Sequence, residues 1–414
     1  MRTLVIGGGI IGLSSAWYLH RAGHEVIVLD KNNFENGCSH GNAGMIVPSH
    51  FIPLAAPGMI AKGIRWMFDA ESPFYIKPRM NLDLLRWGWL FYKSATSEKV
   101  KKAATLLRDF NWLSKRLYKE MAAEESMDFA FAEKGILMIY NSEKAEEEEL
   151  EVAEQANELG IKTKKLSSEE LQGLEPGFKL NAKGAIHYPE DAHLSPALLM
   201  TQMRTHLSQN GVHFHEGVLV NGFEKQKGKI SGVHTNKGIY HADQIVVAGG
   251  SWTPTLVKDL GLRLPMQAGK GYSFTIPNAK PNLNHPAILT EAKVAVTPME
   301  SSLRFAGTME IAGLHEEINQ NRVNGILKSI PTYYPELNLS TDKIQKLWSG
   351  LRPCSPDGLP YIGKCPDYGN VLLATGHAMM GLSLGAGTGK LIQMLVDGED
   401  VGLDLSLMRI DRFG

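Results

Sequence analysis

The stretch Arg2–Asp30, RTLVIGGGIIGLSSAWYLHRAGHEVIVLD, decides the fold. Thr3 to Ile6 are short, apolar and β-prone, and Gly7, Gly9 and Gly12 follow in GxGxxG spacing. From Ile10 to Ala22 the apolar positions take a helical period. Gly23 suits a C-cap, and Glu25 to Leu29 form a second β-run closed by Asp30. That is a complete β-α-β unit. Gly7 permits the tight turn, Gly9 lets backbone approach a pyrophosphate, and Gly12 lets helix and strand pack closely. The positive end of the helix dipole then faces the anion. Asp30 stands 18 residues after Gly12, close to the ~20 expected of an acid that hydrogen-bonds a ribose hydroxyl. A lone GxGxxG is a weak signal, but strand, helix, second strand and acid together predict a bound dinucleotide.

The 414 residues exceed the ~250–300 at which a single core usually splits, so two domains are expected. Lys plus Arg number 43 and Asp plus Glu 44, a formal charge of -1 that argues against nucleic acid as a partner. Cys38, Cys354 and Cys365 are too few and too scattered for a disulfide framework or a metal cluster, and they fit free thiols in a reducing compartment. The apolar N-terminal run is committed to the β-α-β unit, which argues against a signal peptide. Val371 to Gly389 is too rich in Gly, Ser and Thr for a membrane-spanning helix and reads as a backbone-rich ligand loop. His213 and His215 on an alternating strand read as structural, and no metal site is expected.

Lys31–Gly58, punctuated by glycine, asparagine and proline, is too polar for core and too long for a plain connector, which marks a functional loop. GMIAKGIRWMF (58–68), LLRWGWLFYK (84–93) and KKAATLLRDFNWLSKRLYKEM (101–121) read as amphipathic helices of the second domain. A minor reading rests Lys62, Arg65, Arg86 and Lys93, beside Trp66, Trp87 and Trp89, on a membrane interface. Lys134–Tyr140 reads as a strand and Lys144–Leu159 as a Glu-rich helix. A helix capped near Asn210 and Gly211 precedes short strands that end in VVAGGSW (246–252) and return the chain to the first sheet. Leu264–Ile276 and Ala292–Ile311 suit an antiparallel sheet, and Gly387–Lys390 a loop entering a helix N-terminus. The expected division is 1–55, 150–255 and 340–414 for a discontinuous nucleotide domain, and 56–149 and 256–339 for a substrate domain.

VIGGGIIGLSSAWYL, GNAGMIVP, AAPGMIAKGIRWMF, KGYSFTIP, WSGLRPCSPDGLPYIG and GHAMMGLSLGAGTGKLIQML, taken in order, resemble the FAD-dependent D-amino-acid oxidase superfamily. Within it, AAPG…KGIRWMF and KGYSFTIP resemble the bacterial D-amino-acid dehydrogenase family, and the resemblance runs almost end to end. It implies an α/β fold in which a glutathione-reductase-like FAD-binding Rossmann domain carries a second, α+β substrate domain built on an antiparallel sheet. It also implies noncovalent FAD. On this resemblance Gly7, Gly9, Ile10, Ile11 and Gly12 form the pyrophosphate turn, with Asp30 and Lys31 beside the adenosine ribose. Ser39, Asn42, Ala43, Gly44 and Met45 form the loop passing the flavin ring. Val218, Gly249, Gly250 and Trp252 lie near the dinucleotide, and His377, Gly381, Leu382 and Ser383 line the pyrimidine side of the ring.

Arg352, in the GLRP-type motif, is implied as the grip on a substrate carboxylate, a bidentate task that needs Arg rather than Lys. Tyr272 and His50 are implied pocket residues. The implied reaction is oxidative deamination of a D-amino acid by hydride transfer from Cα to flavin N5, giving a 2-oxo acid and ammonia, with a quinone or other respiratory acceptor taking the electrons. A cytoplasmic protein, in peripheral contact with the inner face of the membrane on the minor reading, would suit that acceptor. Two other readings fit the same motifs in part: an oxygen-using oxidase of glycine, sarcosine or (hydroxy)-D-proline, and a noncatalytic electron-transfer flavoprotein. An NAD-dependent dehydrogenase leaves the C-terminal glycine-rich segment unexplained.

Overall fold

The computed structural model describes all residues except 36, 59–62, 64–71, 80, 338, 340–343 and 414. β1 (Arg2–Ile6), α1 (Ile10–Arg21) and β2 (Glu25–Leu29) form as the opening stretch dictates. Leu4 and Val5 are fully buried, each side chain contributing about 1.5–3 kcal/mol by leaving water. His20 and Arg21 complement the negative end of α1, and Gly23 at φ 85 turns the chain into β2. Among the described residues, six strands make the first sheet, in the order Tyr361–Lys364, Val371–Thr375, Gln244–Val247, β1, β2 and His213–His215. All pairings are parallel except that of the Tyr361–Lys364 edge. The helix Gly385–Asp397 packs on α1, where a Cβ at Gly389 would lie 2.3 Å from the Ser14 backbone.

Among the described residues, the second sheet has nine strands. Gln345–Cys354 lies at one edge, followed by Gln267–Ile276, Ser302–Ile311, Val294–Met299, Ala287–Leu289, Ile136–Tyr140, Gly184–Tyr188 and Lys164–Ser167, with Phe74–Ile76 added beside Ser302–Ile311. It is mainly antiparallel; Ala287–Leu289 with Ile136–Tyr140, and Phe74–Ile76 with Ser302–Ile311, are its parallel pairs. One face carries a core of Phe274, Phe305, Val323, Ile326 and their neighbours, under the helix Gln320–Tyr333. The opposite face turns toward the first sheet, because Ser273 Oγ donates to the Gly41 carbonyl at 2.8 Å and Arg304 donates to the carbonyls of His40 and Asn42 at 2.9 and 2.8 Å.

Several details differ from the sequence expectations. Lys164–Ser167 and Gly184–Tyr188 fall in the expected nucleotide segment 150–255, and Gln345–Cys354 in 340–414, yet all three belong to the second sheet. Their strand signals say nothing about which sheet they join. Gly387–Lys390 lies inside the helix that begins at Gly385, not before it. Its glycines serve packing: a Cβ at Gly387 would sit 2.9 Å from the Phe110 ring. Of the expected basic-aromatic face, Lys62, Arg65 and Trp66 lie outside the described residues. Trp87 is buried with its Nε1 donating to the Cys354 carbonyl at 2.9 Å, so it belongs to the core, whereas Trp89 is exposed.

Candidate active site

The candidate nucleotide cradle starts at the N-terminus of α1. Gly7 has φ 110, which favours glycine, and a Cβ there would strike the Ala248 carbonyl at 2.4 Å. A Cβ at Gly12 would strike the Gly7 carbonyl at 1.8 Å. Gly9 is different: a Cβ there would meet only Ser39 Oγ, at 3.5 Å. Packing requires Gly7 and Gly12 to be glycine, while Gly9 guards open space at the positive end of the helix, which fits a pyrophosphate. The Ile10 amide donates to Ser39 Oγ at 2.9 Å, so the loop after β2 caps this end. Ile11 follows in the first turn, where the amides point toward the same space.

The Asp30 carboxylate accepts from the Gly8 amide at 2.7 Å and the Asn32 amide at 2.8 Å, while its own carbonyl accepts from the Val218 amide at 2.8 Å. The acid therefore braces the glycine turn as well as closing β2. Lys31 Nζ lies 3.4 Å from the centroid of the Trp252 ring, bridging to the turn at Gly249 and Gly250. Gly250 has φ 55, and its carbonyl accepts from Thr375 Oγ1 at 3.0 Å.

The loop Ser39–Gly44 lies between the two sheets. Asn42 Oδ1 accepts from the Gly44 amide at 2.9 Å, Gly44 has φ 82, Ala43 packs beside Met45 and Val47, and Met45 pairs with His193. Ser383 Oγ accepts from the Val47 amide at 2.9 Å and donates to Asn111 Oδ1 at 2.7 Å, and Tyr118 donates to the Leu382 carbonyl at 2.7 Å. These side chains are spent on fixing the Gly381–Ser383 backbone. Thr388 Oγ1 donates to the Leu384 carbonyl, so it accepts from Nε2–H of His377 at 3.0 Å. Nδ1 of His377 is then a sealed acceptor with no partner among the described residues, and burial lowers the imidazole pKa to about 3.

Arg352 is the chemically distinctive residue. It lies opposite Gly269 on the adjacent strand, and its guanidinium spreads over Gly271, where a Cβ would sit 2.2 Å from Nη2. Nη1 donates to the Thr308 carbonyl at 2.6 Å. Among the described residues no carboxylate pairs with it, and its other donors are neither paired nor sealed off. Burial lowers its pKa, the expected sign for a cation short of an anion. Thr308 is a β-branched residue at φ 65, in the register shift between Ser302–Ile311 and its neighbour; such a conformation costs about 1–3 kcal/mol. It aims the carbonyl that holds Arg352. Leu351, next in the strand, is held by Cys38 Sγ and by Ser251 Oγ, which donates to its carbonyl at 3.0 Å.

Strand parity separates Tyr272 from this group. It faces the opposite side of the sheet from Gly271 and Arg352, is buried in the Phe274 core, and donates to Glu310 Oε2 at 2.6 Å. The expected pocket role of Tyr272 is therefore corrected to a core role, because side chains alternate across a strand. With Asp191 ionised, Ser49 Oγ donates to Asp191 Oδ2 at 2.5 Å, so His50 Nδ1, 3.0 Å from that oxygen, carries the imidazole proton and leaves Nε2 a lone pair. Burial lowers the His50 pKa to about 4 and raises that of Asp191 to about 7.

Sequence reading missed Gly271, Thr308, Arg304 and Trp348, whose ring lies against Gly41 and Gly350. The glycines at 41, 271 and 350, each opposite a flat side chain, were the available signal.

The sequence profile of the DAO family, described as FAD dependent oxidoreductase, matches residues 2–395. A curated D-amino acid dehydrogenase of Helicobacter pylori is 32% identical over 395 residues, covering 95% of this chain and 94% of its own length. One of Neisseria meningitidis is 31% identical over 423 residues and covers 99% of each chain. The crystal structure of glycine oxidase from Geobacillus kaustophilus superposes with a TM-score of 0.79 at 21% identity, covering 99% of each chain, and shares the fold. On this profile match and these full-length relatives, the chain belongs to the DAO family of FAD-dependent oxidoreductases.

Proposed function

We propose that this chain oxidises D-amino acids to 2-oxo acids and ammonia, and passes the electrons to a respiratory acceptor rather than to oxygen. The observation that carries the reading is Arg352, a guanidinium that faces accessible space without a carboxylate partner among the described residues. The dehydrogenase relatives supply the D-amino-acid class. Bound FAD supplies the hydride acceptor. Gly9, the first turn of α1 and Asp30 would hold its pyrophosphate and ribose, and Ser39–Met45, Gly249–Trp252 and His377–Ser383 would flank the ring. Arg352 grips the substrate carboxylate through two N–H donors, while the Thr308 carbonyl fixes the guanidinium plane and so selects which face of Cα is presented. His50, held neutral by burial, offers Nε2 as an acceptor to the substrate amine and does not store a proton at neutral pH. The amine therefore enters uncharged or loses its proton to water.

Anaerobic bleaching of the purified yellow protein with a panel of D- and L-amino acids, glycine, sarcosine and hydroxyprolines tests this. Bleaching by D-amino acids with slow recovery in air is expected. Rapid recovery with peroxide assigns an oxidase instead, and bleaching by no member of the panel overturns amine oxidation.

A further inference from the structure

The helix Leu82–Ser94 has two apolar faces. Its inner face is accounted for: Trp87 is buried, and Leu84 and Phe91 pack with it against Met309, Ile311, Cys354 and Ala378. The outer face is not. Leu82, Leu85, Trp89 and Tyr92, spaced i, i+3, i+7 and i+10, are 83, 66, 55 and 62% exposed, and they are four of the ten exposed large apolar side chains among the described residues. Isolated exposed apolar residues need no explanation, but a stripe along one helix marks a contact surface.

Charge indicates what covers it. Of the seven lysines and arginines in residues 77–102, Arg79 turns inward to Gln267 and Lys102 pairs with Glu98, which leaves Lys77, Arg86, Lys93, Lys99 and Lys101 against Asp83, on a chain whose formal charge is -1. A second copy of this face would bring like charge against like, so self-association through it is opposed. Trp89 and Tyr92 stack at 5.9 Å, with Lys93 Nζ 4.8 Å from the Trp89 ring centroid, so aromatic bodies and cations share one edge. That pairing suits a headgroup boundary, where rings bury their apolar part and basic side chains reach up to phosphate.

We propose that this helix seats the protein on an anionic lipid surface, with Leu82, Leu85, Trp89 and Tyr92 entering the headgroup boundary and Arg86 and Lys93 meeting lipid phosphates. No helix among the described residues is long and apolar enough to cross a membrane, so the contact is peripheral. Trp87, on the inner face, holds the carbonyl of Cys354, two residues from Arg352. The wall of the site is then one helix diameter, about 10–12 Å, from the seated surface. None of this depends on which substrate is oxidised.

The test is sedimentation of the FAD-loaded full chain with phosphatidylcholine vesicles, with and without phosphatidylglycerol. Binding is expected only with the anionic lipid and should weaken as salt rises. Lys93→Glu changes the charge by two, which at about fivefold per charge lowers partitioning about 30-fold. Leu85→Ser/Trp89→Ser should release the protein tenfold or more, while Leu219→Ser, an exposed leucine elsewhere, should not. Yellow colour and turnover with a soluble dye acceptor should be unchanged in all three, which excludes misfolding. Failure of the wild-type protein to bind anionic vesicles, or equal binding by the variants, overturns the proposal. So does a wild-type dimer that the double substitution converts to monomer, since the stripe would then serve a second copy.

Discussion

Gly9→Ala and Gly12→Ala differ by three positions in one turn, and the structure separates their consequences. The Gly9 backbone is extended at φ -73, open to alanine, and the new methyl would touch only Ser39 Oγ at an ordinary 3.5 Å. The apoprotein should lose at most about 1 kcal/mol, the cost of a poorer N-cap. The same methyl enters the open space in which we propose that the pyrophosphate sits. Displacing the phosphates from one first-turn amide removes a charge-assisted hydrogen bond of about 1.5–3 kcal/mol, a loss of about 10- to 150-fold in FAD affinity. At Gly12 the methyl would lie 1.8 Å from the Gly7 carbonyl, so α1 must move off β1. Overpacking of that kind costs about 1–3 kcal/mol or more before any cofactor is added. Thermal unfolding of both apoproteins, with FAD titration by flavin fluorescence quenching, measures the two effects apart. If Gly9→Ala keeps wild-type FAD affinity, the pyrophosphate does not sit there. If its apoprotein is as unstable as that of Gly12→Ala, the glycine serves packing and the reasoning fails.

Gly271→Ala leaves every charge in place but pushes the Arg352 guanidinium off the strand, so kcat/KM for carboxylate substrates should fall at least tenfold with FAD content unchanged; loss of FAD would instead make this region structural. Arg352→Met should lower kcat/KM by about 10²–10⁴, the worth of two charge-assisted hydrogen bonds, and abolish the rise in melting temperature that a carboxylate inhibitor gives the wild type. Asp191, held protonated to about pH 7 by burial, binds a proton in the native but not the unfolded chain between about pH 4 and 7. Stability therefore falls as pH rises through that window, by up to about 1.4 kcal/mol per unit, and Asp191→Asn should remove this slope in thermal melts compared across pH. His193 has the opposite sign: burial lowers its pKa to about 4, so its contribution is present above about pH 6.5 and is lost as pH falls toward 4, and His193→Gln should flatten the acid limb.

The opening β-α-β unit was legible because its signals are local: apolar period, glycine spacing and a terminal acid all lie within thirty residues of one another. The same holds for the helices Glu143–Glu158 and Pro196–Gln209, each found within a residue or two of its expected bounds or cap. Sheet membership was not legible, since Gly184–Tyr188 carries the same strand pattern whichever sheet it joins. Arg352 could be singled out from its motif, but the facts that make it distinctive are long-range: Thr308 lies 44 positions away and Gly271 on another strand. Tyr272 was misassigned because its neighbour Gly271 shares the face of Arg352, and one step along a strand reverses the face.

The cradle around α1 is built from segments far apart in the sequence. β1 and α1 precede Val371–Thr375 and Gly385–Asp397, which complete the sheet and press on α1, by more than three hundred residues. During synthesis the glycine turn therefore waits as an unfinished half, its apolar helix face uncovered. A nascent or prematurely terminated chain would have no closed seat for its cofactor. Acquisition of the yellow colour would thus report that translation has run past Asp397, and flavin supply would bear on the survival of newly made chains.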